Sequence, residues 1–193
     1  MNNQTKINTT KKAIIDAFVL LTKQEKPCTV NDIAQAAHIN RSTFYRYFEN
    51  KTALIEDCEN TIISKIAGIY HHVFTQENTD SNRQLAQNYL EEVLNIVEQN
   101  LDLLYVLFKK VDNSHFYVKF KELLAVANHH FLKHLLDPNG PLSQKEFELL
   151  INYRSSAILG SIEFWSYHPQ EYSRQDIVNF IKVVSHRDLQ NYQ

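Results

Sequence analysis

The sequence predicts an all-α protein of about nine helices, on three observations. Only three Gly and four Pro occur in 193 residues, too little punctuation for the many turns of an all-β chain. Apolar residues recur at i, i+3, i+4 and i+7 in one segment after another, the period of a helix with one face inside. The breaks between segments carry helix-capping residues: Thr29, Asn40, Asn50, Ser143 and Ser173. A hydrophobic share of 44% can fill a core, which argues against global disorder.

Residues 1–8 are polar and are expected to fray. From Thr10 to about Gln24, Ile14, Ala17, Phe18 and Leu21 form one apolar stripe, and Pro27 punctuates its end. Thr29 and Asp32 make a capping-box-like start, followed by Val30, Ile33, Ala34 and Ala37 at full helical spacing. His38 and Ile39 separate this helix from the next, which Asn40 caps. That turn calls for a left-handed residue, usually Gly, and His is among the side chains that tolerate the conformation. In the third helix, drawn through Phe48, Phe44 and Phe48 lie four apart and face inward.

Asn50 opens a long helix from Lys51 to about Phe74, with Gly68 as its weak point. A polar linker at 75–84 precedes helices at about 84–99, 101–111 and 114–136. The DPNGPL stretch at 137–142 is the clearest break. Ser143 and Glu146 spell a capping box for a helix to about Tyr167. Pro169 ends it, and Ser173 with Asp176 caps a last helix to about Leu189. The expected division is a small domain, 1–50, and a larger helical one, 51–193.

Net charge is −2, but it is unevenly spread. Residues 1–52 hold eight Lys or Arg against four Asp or Glu, a balance of +4, and the remainder hold twelve against eighteen, −6. The basic part contains two short helices joined by a tight turn, the layout of a helix-turn-helix DNA reader. With Phe44 and Phe48 inward, Arg41, Ser42, Thr43, Tyr45, Arg46 and Tyr47 are left outside or at the edge. Lys51 stands at a helix N-terminus, where charge and free backbone donors suit a phosphate. Lys6, Lys11 and Lys12 are the charges that an N-terminal arm would carry into a minor groove.

Residues 29–51, TVNDIAQAAHINRSTFYRYFENK, with the apolar Leu54 and Ile55 beyond them, closely resemble the DNA-binding segment of the TetR family of bacterial transcriptional regulators. The resemblance covers about residues 10–60. Beyond them it is architectural: nine helices, a long fourth helix and two C-terminal helices. It implies that Thr29, Tyr45 and Lys51 hold the phosphate backbone. It also implies that Arg41, Ser42, Thr43, Arg46 and Tyr47 contact bases and flanking phosphates. His38 departs from the family's usual Gly. The partners implied are a near-palindromic double-stranded DNA operator, a second copy of the chain and a small-molecule effector, with repression as the usual outcome.

The resemblance places an effector in the C-terminal body, where an aromatic-rich, mostly apolar pocket is expected; the candidates are Tyr70, Tyr105, Phe108 and Phe120, against the plainer reading of ordinary core. The stretch YRSSAILGSIEFWSYHP and the helix after it resemble the family's dimerising pair. Ile158, Ile162, Trp165, Phe180, Ile181 and Val184 are the expected interface, and Gly160 would allow close helix approach. His130 and His134 have the i, i+4 spacing that lets two imidazoles share an ion. No carboxylate or cysteine is placed beside them, so no metal is expected, and no cofactor. Cys28 and Cys58 do not make a disulfide framework in a chain of this size.

An enzyme is the rival reading from another class, but the chain has no Glu-x-x-His pair, Gly-rich phosphate loop, G-x-S-x-G or H-E-x-x-H. A helical adaptor or co-regulator that binds a protein partner, or an activator, stays open as the alternative. No apolar run approaches a membrane span and the N-terminus lacks a signal peptide's apolar centre, so a cytoplasmic location is expected.

Overall fold

The structure, a computed structural model, describes residues 3–74, 81–109, 114–136 and 142–190. Among these are nine helices and no strand. They are α1 (Asn3–Lys23), α2 (Val30–Ala36), α3 (Arg41–Tyr45), α4 (Lys51–Phe74), α5 (Asn82–Gln99), α6 (Leu101–Lys109), α7 (Ser114–Leu135), α8 (Gln144–Tyr167) and α9 (Arg174–Gln190). The break expected at 137–142 and most of the 75–84 linker lie outside the described residues. By backbone proximity the chain falls into two compact units. One holds α1–α3, α4 to Thr61 and α6 from Val106; the other holds the rest.

The first unit is built on the predicted apolar faces. Ile14, Phe18, Ile33 and Phe44 are fully or almost fully buried, with Ala34 and Phe48 beside them. α2 packs on α1 and on α3. Each connecting turn closes with side-chain or backbone partners for the helix ends, as buried polar groups require. The Thr29 hydroxyl accepts from the Asp32 N–H while Asp32 accepts from the Thr29 N–H, the reciprocal capping box. At the end of α2, His38 adopts φ 54°. The Ile39 N–H then reaches Ala34 O at 3.0 Å and the His38 N–H reaches Gln35 O at 3.1 Å, which is the Schellman closure. Glu25, at φ 55°, ends α1 the same way, with Lys26 N–H on Leu21 O and Glu25 N–H on Thr22 O.

Two element boundaries differ from expectation. α1 begins at Asn3, not Thr10. Nothing in residues 3–9 breaks a helix, and once one turn exists each added residue costs little. Lys11 and Lys12 therefore lie within a helix and are ion-paired, with Asp57 and with Asp16, both at 2.7 Å; they do not form a free arm. The Lys6 side chain is outside the described residues. α3 ends at Tyr45, not Phe48. Its last turn tightens, with Arg46 N–H on Thr43 O and Tyr47 N–H on Phe44 O, before Phe48 N–H returns to Phe44 O.

The second unit packs α7 against α8 and α5, with α9 against both α5 and α8. Its core includes Ile66, Val93, Leu104, Phe116, Phe120 and Trp165. Trp165 is 1% exposed, and its indole N–H donates to Tyr172 O at 2.8 Å, so a large buried ring keeps its one donor satisfied. Ser143–Glu146 and Ser173–Asp176 close capping boxes as read from the sequence. Ser81 starts α5 at Asn82, slightly earlier than expected. No described helix is long and apolar enough to cross a membrane.

Two outcomes follow from the turn and the caps. Replacing His38 by Gly should raise stability by about 0.5–1 kcal/mol in denaturant unfolding, because relief of the left-handed strain outweighs the added freedom of the unfolded chain. Asp32, Glu146 and Asp176 are each held below their ordinary carboxyl value, first by the side-chain hydrogen bond from the capping hydroxyl. A carboxyl with a lower pKa folded than unfolded contributes fully above the unfolded value and loses its contribution as pH falls past the folded one. Acid unfolding followed by circular dichroism should therefore begin below about pH 4, and Thr29→Val should flatten that dependence.

Candidate nucleic-acid interface

α3 is short, and its geometry follows from two inward rings. Phe44 is 0% exposed and Phe48 is buried beside it, their ring centroids 5.7 Å apart. That leaves Arg41, Ser42, Tyr45 and Arg46 exposed, with Thr43 and Tyr47 half-buried. Asn40 does more than cap. Its Oδ1 accepts from the Thr43 N–H, the Thr43 hydroxyl and the Ser42 hydroxyl, each at 2.7 Å. Both hydroxyl protons are thereby turned inward, and the oxygens keep lone pairs for an outside donor. The sequence reading identified the cap but not this triple role, since hydroxyl orientation is set by a tertiary turn.

Arg41 donates to the Tyr45 hydroxyl from Nη2 at 3.0 Å, and its guanidinium lies 5.3 Å from the Tyr45 ring centroid. The pair holds a planar five-donor group against a phenol one turn away. Arg46 is exposed on the same short helix end. Asn50 Oδ1 accepts from the Ala53 N–H at 2.9 Å, capping α4. Lys51 Nζ, half-buried, lies 5.9 Å from the Phe18 ring centroid, which confines a long side chain beside the helix N-terminus. Thr29 sits exposed at the start of α2, its hydroxyl donating to Asp32 at 2.6 Å. All eight residues named from the sequence thus belong to one compact unit.

The other candidate sites fare unevenly. In the second unit a cavity of about 230 Å³ opens among α5, α7, α8 and α9. None of Tyr70, Tyr105, Phe108 or Phe120 lines it. Phe120 is core, Tyr105 packs edge-on to Tyr167 with centroids 5.8 Å apart, and Tyr70 stands behind Phe74, its ring 5.2 Å away. The wall is formed instead by residues such as Phe74, Tyr89, Leu124 and Phe131. The available signal was on α5, where Arg83, Ala86, Gln87 and Leu90 share one face at i, i+3, i+4, i+7. That face mixes charge, small and apolar side chains, suiting neither a dry core nor open water.

Of the six residues expected between subunits, Ile162, Trp165 and Ile181 are buried within the chain's own unit. Ile158 and Val184 are half-buried, and Phe180 is 57% exposed. Leu149, Tyr153, Phe164 and Val183 on the same two helices are also exposed apolar groups. Apart from its chain neighbours and the adjoining backbone of α8, no described atom lies within 4 Å of where a Gly160 Cβ would stand.

His130 and His134 have ring centroids 4.9 Å apart, and His130 also faces Phe74 at 4.7 Å. Partial burial, then the neighbouring His134, keeps His130 below its ordinary pKa. Among the described residues no group of three or more His, Cys, Asp or Glu converges as metal ligands would. Both cysteines are free thiols. Burial, reinforced by Asp57, pushes Cys58 up to about 12, whereas Cys28 is half-buried, 3.6 Å from the Thr22 hydroxyl.

Comparison with known proteins follows the same division. Residues 26–58 match the family model of bacterial regulatory proteins of the tetR family, and residues 84–187 match a transcriptional regulator C-terminal region. Among solved structures, a TetR-like transcriptional regulator from Rhodococcus sp. RHA1 is similar at TM-score 0.72 and 17% identity, covering 98% of each chain. The dihydroxyacetone kinase operon activator DhaS aligns at 0.63 and 20%, over 95% of this chain and 98% of its own. Thermus thermophilus FadR, a repressor solved in complex with lauroyl-CoA, aligns at 0.57 and 19%, over 90% and 92%. At these identities the likeness is one of fold. No curated protein matches the sequence.

The thiols beside and beneath the reader should differ in reactivity. In the native protein at pH 8, Cys28 should react with an aromatic disulfide reagent in minutes, and Cys58 only on unfolding. The absorbance trace should show one fast equivalent; two would mean that α4 opens locally.

Proposed function

The chain belongs to the TetR family of bacterial regulatory proteins, and we propose that it is a homodimeric, ligand-responsive repressor that reads a near-palindromic operator in the bacterial cytoplasm. One observation carries the reading: α3 buries Phe44 and leaves Arg41, Ser42, Tyr45 and Arg46 facing outward. A helix held from behind by an aromatic anchor, with cationic and hydroxyl groups in front, suits entry into a major groove.

The roles divide by chemistry. Thr29, Tyr45 and Lys51 hold phosphates, fixing register without reading sequence. Arg41 and Arg46 can each clasp a guanine edge, and Thr43 offers its methyl to thymine. Ser42 and Tyr47 take flanking bases or phosphates. Two such readers need a fixed separation, because half-sites lie about one helical turn, roughly 34 Å, apart or a multiple of it. The second subunit docks on outward apolar residues of α8 and α9, the exposed Phe180 with the half-buried Ile158 and Val184 beside it. A ligand in the helical body alters reader separation through α4, which supplies residues to both units. It does so only insofar as it prefers one of the two arrangements. FadR with its bound lauroyl-CoA supports the ligand-responsive reading by fold, and that protein's description as a repressor favours the sign chosen here.

Selection of bound DNA from a random pool should return a palindrome, whereas failure to enrich any sequence would favour an adaptor that binds a protein partner. On the selected site, Lys51→Ala should weaken binding to cognate and scrambled DNA alike and lower the salt slope by about one. Arg46→Ala should cost roughly 1–3 kcal/mol on the cognate site and relax preference at one base pair. Equal losses on both DNAs would remove Arg46 from base reading. In a reporter strain, deletion of the gene should raise expression from the operator; a fall would make the protein an activator.

A further inference from the structure

The cavity of the second unit carries one buried polar group whose bonding is incomplete. Leu90, Val93, Leu124 and Phe131 give the space an apolar body. Asn128, on the α7 side of the wall, is 7% exposed. Its Nδ2 donates to the Ser155 hydroxyl at 3.0 Å, and that hydroxyl donates to Ile151 O at 2.7 Å. A serine hydroxyl has one proton, so with that proton on Ile151 it can only accept from Asn128. The bond network therefore orients the amide. Its NH2 end faces Ser155, and Oδ1 is left with no hydrogen-bond partner among the described residues.

An acceptor held this far from bulk water costs free energy until a donor reaches it. On a cavity wall the donor comes from whatever fills the cavity. Water alone would satisfy Oδ1 but leave Leu90, Leu124 and Phe131 wetted, forfeiting the burial of apolar surface. A molecule with one hydroxyl and an apolar body answers both needs. The charged side chains on the wall make no such demand. Lys182 is paired with Glu91 at 2.7 Å, Arg154 reaches Ser185 O at 3.3 Å, and Arg83 is exposed at the α5 edge. An ion would shed its hydration for groups already engaged or already in water.

The geometry points to an uncharged, mostly apolar alcohol or phenol as the ligand, its body among Leu90, Leu124 and Phe131 and its hydroxyl donating to Asn128 Oδ1. The inference rests on the ligand-responsive reading above and names the class of ligand. A sugar or nucleotide would leave most of its polar groups facing Leu, Val and Phe, at a cost for each unpaired group. The cavity volume of about 230 Å³ sets the size. An apolar cavity of about 150 Å³ holds benzene, so this one takes a molecule of roughly nine non-hydrogen atoms. Phe74, the last residue of α4, stands on the same wall. A bound molecule thus touches the helix that supplies residues to both units.

The test is a calorimetric titration of the full-length protein with four probes: octanol, its isomer heptyl methyl ether, octanoate and glycerol. Octanol should bind. The ether matches it in atoms and in apolar body but has no proton to give, and should bind at least about tenfold more weakly. Octanoate should bind more weakly than octanol, and glycerol, which has no apolar body, should give no heat of binding. Asn128→Leu removes the acceptor and should bring octanol and the ether to within about twofold of each other, a ratio that a mere change of cavity shape would not level. Should that variant fail to fold, Ala86→Phe fills the cavity from the half-buried face of α5 and should abolish octanol binding while circular dichroism stays helical. The ether binding as tightly as octanol, octanoate binding more tightly, or Ala86→Phe leaving octanol affinity intact would each overturn the assignment. DNA selection separates the two ideas. A palindrome recovered by a protein that ignores octanol sinks only the ligand class. Octanol binding that leaves operator affinity unchanged keeps the site but refutes its regulatory use.

Discussion

A helix of five residues has almost no stability of its own, because the conformational cost of the first turn is hardly offset before the helix ends. α3 exists because the Phe44 ring, wholly buried, is held in the core that Ile14, Phe18 and Ile33 share, with Phe48 closing the turn after it. The outward face owes its composition to that anchor. Rotating α3 enough to expose Phe44 would bury Arg41 or Arg46, and an unpaired buried cation costs far more than a ring gains. The direction in which the polar side chains point is therefore decided by hydrophobic packing on the opposite side.

The turn and caps complete the restraint. His38 takes a left-handed conformation that most side chains avoid, and in exchange two carbonyls at the end of α2 find N–H partners. Asn40 gathers three donors on one oxygen, and Asn50 starts α4 directly beyond the exposed end of α3. Local bonds of this kind are individually modest. Together they leave α3 little freedom of angle, and orientation is what a base-reading helix needs.

Much of this was legible in the sequence because it is local. A capping residue and its partner lie three positions apart, and an inward face shows its period within two turns; Thr29, Asn40, Ser143, Ser173 and His38 were all readable on that basis. Trp165 and Ile162 were not. A helix such as α8 carries apolar residues on more than one side, and which side meets its own α9 and which meets solvent depends on how the helices are arranged. The effector candidates lie off the cavity wall for a related reason. Tyr105, Phe108 and Phe120 stood out as aromatic, yet aromatic residues are the commonest way to fill a core. The cavity wall is marked by mixed faces such as Arg83, Ala86 and Gln87, a signal that composition hides. Arg154, on the wall of that cavity, lies among Asn152, Tyr153, Ser155 and Ser156, a polar stretch in which nothing local marks the one cation as buried.

The central claim is that α3 enters the major groove with Phe44 behind it and Arg41 and Arg46 in front. Guanine N7 faces the major groove and adenine N3 the minor, so methylation interference on bound operator DNA separates the two directly. The account predicts that N7 methylation blocks binding at two clusters of guanines, symmetric about the operator centre and about one helical turn apart or a multiple of it. Interference confined to adenine N3, or absent at every guanine of an operator containing them, would contradict it.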